Sequence, residues 1–227
     1  MSNHNSGLFR IAIITIICSL VSFSTMYGQR YKGQRFKVGA VLGMNMAQID
    51  GDRMFGYNKF GVQAGVQGIA MLNKKQYLSL EFLLSQRGAV TSSNEIERIA
   101  MVNIRSNYIE APILYNIKLP IAENSAGVYL YSGVSVARLL GARINGVNNP
   151  RLGNPILILS DRVSEFDTFE LDYIIGGNYF FNNNFGVTFR HTVGMTTFFQ
   201  PSVADIDLEL KPLRNYLLTI GGVFIID

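Results

Sequence analysis

Tryptophan is absent from this chain of 227 residues, cysteine occurs once and histidine twice. Charge is sparse as well: Asp, Glu, Lys and Arg make up 16 % of the sequence, against roughly 25 % in an ordinary soluble domain. The formal charge of +4 is mild, and no concentrated basic stripe is present, which excludes a nucleic-acid binder. Lys74-Lys75, the longest run of lysine, reads as a turn. The one cysteine, Cys18, sits in an N-terminal apolar run. If that run is removed, disulfides, thiolate metal sites and a cysteine nucleophile are excluded together.

What is there begins with a three-part N-terminus. Arg10 gives a weak positive start, Ile11 to Val21 is apolar, and SFSTMYGQ is a small-residue zone with cleavage expected near Gly28-Gln29. This is the layout of a secretory signal, and the apolar run is short of the roughly 20 residues of a spanning helix. Thr15 and Ile17 before Cys18 do not form a lipobox. The expected division is a signal peptide over 1–28 and one domain over 29–227.

The rest of the chain alternates. In YIEAPILYNIKLP, Ile109, Ala111, Ile113, Tyr115 and Ile117 share one face, opposite Tyr108, Glu110, Pro112, Leu114, Asn116 and Lys118. Period two with β-branched and aromatic enrichment predicts a half-buried strand. Pro112 lacks a ladder donor, which predicts an edge, a bulge, or a partner strand that is locally irregular. The same pattern predicts strands over 36–46, 60–72, 76–86, 128–139, 169–180, 185–193 and 214–226. The connections alternate long and short: tight turns at 73–75 and 182–184, a turn of moderate length at 120–127, and long segments at 48–59, 87–103, 140–168 and 194–213. Ile156 to Leu159 is expected to form a small extra element within the longest of these.

Eight strands can close in two ways. A soluble barrel of lipocalin type turns its apolar face inward, and a membrane barrel reverses this. The polar face here carries Gly, Ser, Gln, Asn and Thr rather than the Lys and Glu of a solvated face. The strands have the length of a tilted membrane crossing, and all short turns fall at one end. The prediction is an all-β fold: an eight-stranded antiparallel up-and-down transmembrane β-barrel with short periplasmic turns and long extracellular loops. The alternative is a soluble exported lipocalin-like barrel binding an apolar ligand. In the membrane reading Glu81, Glu110, Asp172, Arg190 and Lys118 fall inside, with Arg190 expected to neutralise one or more of the three carboxylates, as a structural cluster of ion pairs.

On VGAVLGMN, GVQAGVQG, LSQRGA, YIEAPILYNIKL, YLYSGVSVARLLG, IIGGNYFF and FGVTFRHTVGM, the chain resembles the PorT-like outer-membrane β-barrel proteins of the Bacteroidetes group, from about Phe36 to the end. The resemblance implies a barrel in the cell outer membrane without catalytic residues. It also implies partners among envelope or secretion-machinery proteins besides outer-membrane lipid. The chain departs from the usual aromatic C-terminus of such barrels, ending FIID with Ile226 in the aromatic place.

Signals for chemistry are few. His191 lies on the apolar face of its strand, where a packing or interfacial role outweighs a catalytic one. Asp205, Asp207 and Glu209 lack the glycine turn and ligand count of a calcium loop. The glycine clusters precede no helix and are not phosphate loops. No catalytic, cofactor or metal residue is assigned. A cell-surface enzyme remains a third reading, and it would stand on His191.

Overall fold

The computed structural model describes residues 35–92, 101–120, 127–146, 155–202 and 210–226. The signal segment over 1–28, the acidic group at Asp205, Asp207 and Glu209, and the terminal Asp227 lie outside them. Eight strands follow in order: β1 (Phe36–Asp50), β2 (Lys59–Met71), β3 (Gln76–Val90), β4 (Val102–Lys118), β5 (Gly127–Gly146), β6 (Phe169–Phe180), β7 (Phe185–Gly194) and β8 (Arg214–Ile226). Each pairs antiparallel with the next, and β1 pairs with β8 from Val38↔Ile226 to Asp50↔Arg214, closing the ring.

The apolar face turns outward. Leu42, Val66, Phe82, Ile113, Val134, Ile175, Phe189 and Ile220, one from each strand, are all exposed. Asn45, Gln63, Glu81, Glu110, Ser135, Asp172, Arg190 and Thr219 on the same strands are all buried. This excludes the lipocalin-like arrangement, in which the apolar residues would line the bore. The protein is a transmembrane barrel. Phe185 and Phe224 pack at 4.7 Å between centroids, and Tyr179 and Phe181 at 5.1 Å. They contribute to an aromatic band at the short-turn end, where such rings meet the membrane–water interface.

Pro112 sits where its missing donor costs least. The β3–β4 pairing runs to Leu80↔Ile113 and resumes at Leu83↔Glu110 in the same register, skipping Ala111 and Pro112. Gly133 answers a different constraint: a Cβ there would lie 1.9 Å from the carbonyl oxygen of Ile113. Only a glycine lets β5 approach β4 so closely, as tight coiling in a narrow barrel demands.

Four strands are longer than the alternation predicts, among them β1, which continues past Met46 to Asp50. Within the segment expected as a loop over 87–103, β3 continues to Val90 and β4 begins at Val102. Likewise β5 runs past Leu139 to Gly146, with a bulge at Leu140 where Asn107↔Gly141 shifts to Tyr108↔Leu139. The cause is a reversal of polarity above the membrane. On β4, Val102 and Ile104 point inward and are buried, while Asn103, Arg105 and Asn107 point outward and are exposed. Beyond the hydrocarbon the outer face meets water, so an apolar-out template misreads these residues as loop. Gly88, at φ +141, passes close to the Ile104 carbonyl and keeps the β3 extension against β4.

The extensions and loops build a second core over the extracellular mouth. Ile49, Ile104, Ile144, Phe166, Phe198, Phe199 and Leu213 belong to one buried cluster, and the rings of Phe166 and Phe198 meet edge to face at 5.2 Å. Leu159 is buried in the same cluster, so the 3₁₀ segment Pro155–Glu165 is the small extra element expected at Ile156 to Leu159, extended at its C-terminal side.

The outward face predicts its own sensitivity. Ile113→Arg places a cation in the middle of the β4 apolar band and should destabilise the barrel by about 2–4 kcal/mol, whereas Met101→Arg, beyond the band, should cost less than about 1 kcal/mol. Urea titration in lipid vesicles, read by gel mobility of unboiled samples, compares them; equal costs would contradict the placement of the band.

Candidate functional site

The bore is filled from one end to the other, and its middle carries the charges. Arg87 is fully buried at the extracellular side of the bore. Its Nη2 lies 2.7 Å from Glu110 Oε1 and 2.7 Å from Asp172 Oδ2, its Nε donates to Glu110 at 3.1 Å, and Nη1 reaches Glu170 at 3.5 Å. One guanidinium from β3 therefore ties together carboxylates of β4 and β6. The five donors of a planar fork suit this task better than a lysine would.

Glu170 is held from two further sides. The Tyr108 hydroxyl donates to it, and Asn215 Nδ2 from β8 lies 2.9 and 3.1 Å from its two oxygens. The Arg87 guanidinium carbon also stands 4.6 Å from the Tyr108 ring centroid, a cation–π contact within a dry interior. Gln63 from β2 donates to Glu110 at 3.3 Å. Strands β2, β3, β4, β6 and β8 are thus cross-linked through the bore.

Deeper in the barrel a separate pair forms. Arg190 of β7 places Nη2 at 2.8 and 3.0 Å from the two oxygens of Glu81 on β3, and its Nε lies 3.3 Å from the Tyr131 hydroxyl. Tyr131 in turn lies 2.8 Å from Thr188 Oγ1. Between the two arginines, Asn45 donates to Ser85 at 3.0 Å and accepts from Thr219 at 2.7 Å. At the short-turn end the bore closes on Ile69, Tyr77, Phe180, Val223 and Ile225. With the extracellular cluster this leaves a polar centre sealed by apolar residues at both ends.

Of the five residues assigned to an interior cluster, four are buried in the bore: Glu81, Glu110, Asp172 and Arg190. They divide into two groups. Arg190 takes Glu81 alone, while Glu110 and Asp172 belong to Arg87. Lys118 stands apart and corrects the expectation. It ends β4 at the short-turn side, is partly exposed, and sets its Nζ 6.0 Å from the Tyr129 ring.

Sequence reasoning missed Arg87 by ending β3 at Gln86. The signal was there: Glu81, Leu83, Ser85 and Arg87 have one parity, and all four are buried. Glu170 was on the polar face of its strand but outside the assigned cluster. His191 faces outward and is partly buried, its Nε2 3.1 Å from the hydroxyl of Tyr57. That phenol comes from the β1–β2 loop, which passes outside the barrel to reach β7. Among the described residues no group of three or more His, Cys, Asp or Glu is arranged to hold a metal.

Eight antiparallel strands closed with apolar side chains outward and a filled polar bore define a small outer-membrane barrel, and the protein resides in the outer membrane. The chain belongs to the family described as outer membrane protein beta-barrel domain, whose model matches residues 24–200. Among solved structures it is similar to Neisserial surface protein A, at 12 % identity and TM-score 0.43 over 83 % of this chain and 96 % of that one. It is also similar to Ail of Yersinia pestis, at 10 % identity and TM-score 0.41 over 85 % and 100 %. A third, OprG of Pseudomonas aeruginosa, gives 11 % identity and TM-score 0.37 over 86 % and 97 %. No curated protein matches the sequence.

Removing Arg87 strands three carboxylates in one place. Arg87→Met should destabilise the folded barrel by about 3–5 kcal/mol, and Arg190→Met, which strands only Glu81, should cost less. Glu81→Gln added to Arg190→Met should recover most of the second loss. Unfolding midpoints in urea for the wild type and the three variants check this; an Arg87→Met barrel as stable as the wild type would remove the ion network from any structural role.

Proposed function

We propose that this chain is a non-enzymatic outer-membrane barrel that acts through its surface, as a structural or interaction component of the cell envelope. The observation that carries this reading is the sealed bore. The Arg87 and Arg190 networks occupy its centre and apolar clusters occupy its ends. The interior of an eight-stranded barrel is small enough for side chains to fill. What is left for function is the outside: the lipid-facing belt, the loops and the turns. The ion cluster has a structural role in this reading, joining distant strands through the bore.

Within the family we place the chain beside the PorT-like proteins, on the run YIEAPILYNIKL and the glycine-spaced strands GVQAGVQG and IIGGNYFF. That places it near envelope machinery linked to protein secretion, with export under an N-terminal signal over 1–28 ahead of the barrel domain over 29–227. His191 supports no catalysis: its partner is a phenol on the outer face, with neither a nucleophile nor an orienting carboxylate among its hydrogen bonds.

Two measurements test the reading. In planar bilayers the purified barrel should carry no steady ohmic current, and neither should it with Arg87→Met in a still-folded barrel, since the apolar ends persist. A stable conductance in the wild type would overturn the sealed bore. A photo-crosslinking side chain at Phe55 or Met195, both on the long-loop side and exposed, should capture envelope proteins in intact cells. Capture of lipid alone at both positions would count against an interaction role.

A further inference from the structure

On the outer face of the β4–β5 extension two arginines stand directly opposite each other. Arg105 and Arg143 are cross-strand partners, flanked by the pairs Asn103↔Asn145 and Asn107↔Gly141. Like charges in that position destabilise a sheet. Among the described residues neither guanidinium has a carboxylate partner, and both are exposed. A third cation is close by, as Lys59 Nζ donates to Asn103 Oδ1 at 2.7 Å.

These groups line an open pocket of about 780 Å³ shared by β2, β3, β4 and β5. Among the described residues its lining contains no aspartate or glutamate, and it includes Val62, Leu84 and Leu140 beside Lys59, Arg105 and Arg143. Val62 and Leu84 are exposed members of the lipid-facing belt. The pocket therefore straddles a boundary. Toward the membrane it is apolar, and toward the extracellular side it offers two guanidiniums, an ammonium and asparagine amides.

We infer that this pocket binds the phosphate of an acylated lipid in the outer leaflet, with Arg105 and Arg143 holding the phosphate and Val62, Leu84 and Leu140 receiving its chains. Phosphate oxygens match the guanidinium fork and accept two parallel hydrogen bonds from each arginine. An anion bridging the pair turns the repulsion of facing arginines into attraction. Basic pockets at the edge of the hydrocarbon select charged lipid headgroups on the same physical basis. The apolar floor is what commits the site to a lipid rather than to a free phosphate. The site is independent of the bore and of any envelope partner, so it stands or falls apart from the function proposed above.

The test is native mass spectrometry of the full barrel released from detergent, with phosphatidic acid, phosphatidylcholine or glycerol 3-phosphate added. The wild type should retain phosphatidic acid over phosphatidylcholine by about tenfold or more, the scale of one lost charge-assisted hydrogen bond. The double variant Arg105→Gln/Arg143→Gln should lose that preference, while Lys211→Gln, an exposed cation of the β7–β8 loop, should keep it. Unchanged heat-modifiability of the double variant establishes that its barrel is intact. Equal retention of phosphatidic acid by wild type and double variant would overturn the site. Retention of glycerol 3-phosphate as strong as that of phosphatidic acid would overturn the lipid as its source. If the double variant fails to fold, the single variants Arg105→Gln and Arg143→Gln are compared in the same way, and each should weaken retention.

Discussion

In hydrocarbon a backbone N–H or C=O without a partner costs several kcal/mol, and no water is present to supply one. The architecture of this molecule follows from meeting that demand. A sheet meets it only by closing, so the first strand must find the last. The β1–β8 ladder, from Val38↔Ile226 to Asp50↔Arg214, joins residues from opposite ends of the described chain. Closure then fixes which face is which. In this ring the polar side chains are the ones buried in the bore, and the apolar face has only the membrane to meet. The exceptions to regular pairing are placed where closure tolerates them. Pro112 falls in the gap of the β3–β4 ladder, and Gly133 lies where β5 crowds β4.

Turning the polar faces inward creates a second problem, since side chains that would be solvated on a soluble protein now share a dry interior. Two arginines solve most of it. Arg87 and Arg190 reach across the bore to carboxylates on other strands, so each ion pair is also a strut between strands far apart in the chain. Buried pairs of this kind add little net stability against an apolar filling of equal volume, but they are costly to break. Their effect here is to reject alternatives. A strand shifted by one residue would put Glu110 or Glu81 into lipid and leave its arginine alone, which makes the register itself the thing the network enforces.

Much of this was legible in the sequence because period two is the signal a membrane strand must carry. β6 and β8 have the bounds that alternation gives, Phe169 to Phe180 and Arg214 to Ile226, and the choice of outward face follows from the scarcity of Lys and Glu on the polar one. The failures cluster at the extracellular side. Alternation puts Arg87 in a loop and does not extend a strand over Asn103 to Asn107. The rule in use there, apolar outward, holds only within the bilayer. Above it the rule inverts, and Val102 and Ile104 join Phe198 and Phe199 in an ordinary apolar core with polar residues outside. The pairing of Arg87 with Glu110, Asp172 and Glu170 was beyond reach for another reason. Parity says which residues face the bore, but the stagger of neighbouring strands decides which of them meet, and that is set by the ring as a whole.

The inversion also locates where this barrel can differ from any other of its size. Below the boundary, the outer face must be apolar and the bore must be satisfied, so choice is narrow on both sides of each strand. Above it, the outer face is free to carry charge, and the β4–β5 extension uses that freedom in an unusual way, setting Arg105 against Arg143 with no acid beside them among the described residues. Nothing in barrel closure asks for that pair. Solubility of an exposed face would be served as well by mixed signs, at lower electrostatic cost. A feature that opposes stability, lies just past the edge of the lipid, and shares a pocket with Val62 and Leu84 is accounted for by an anion that arrives with the membrane.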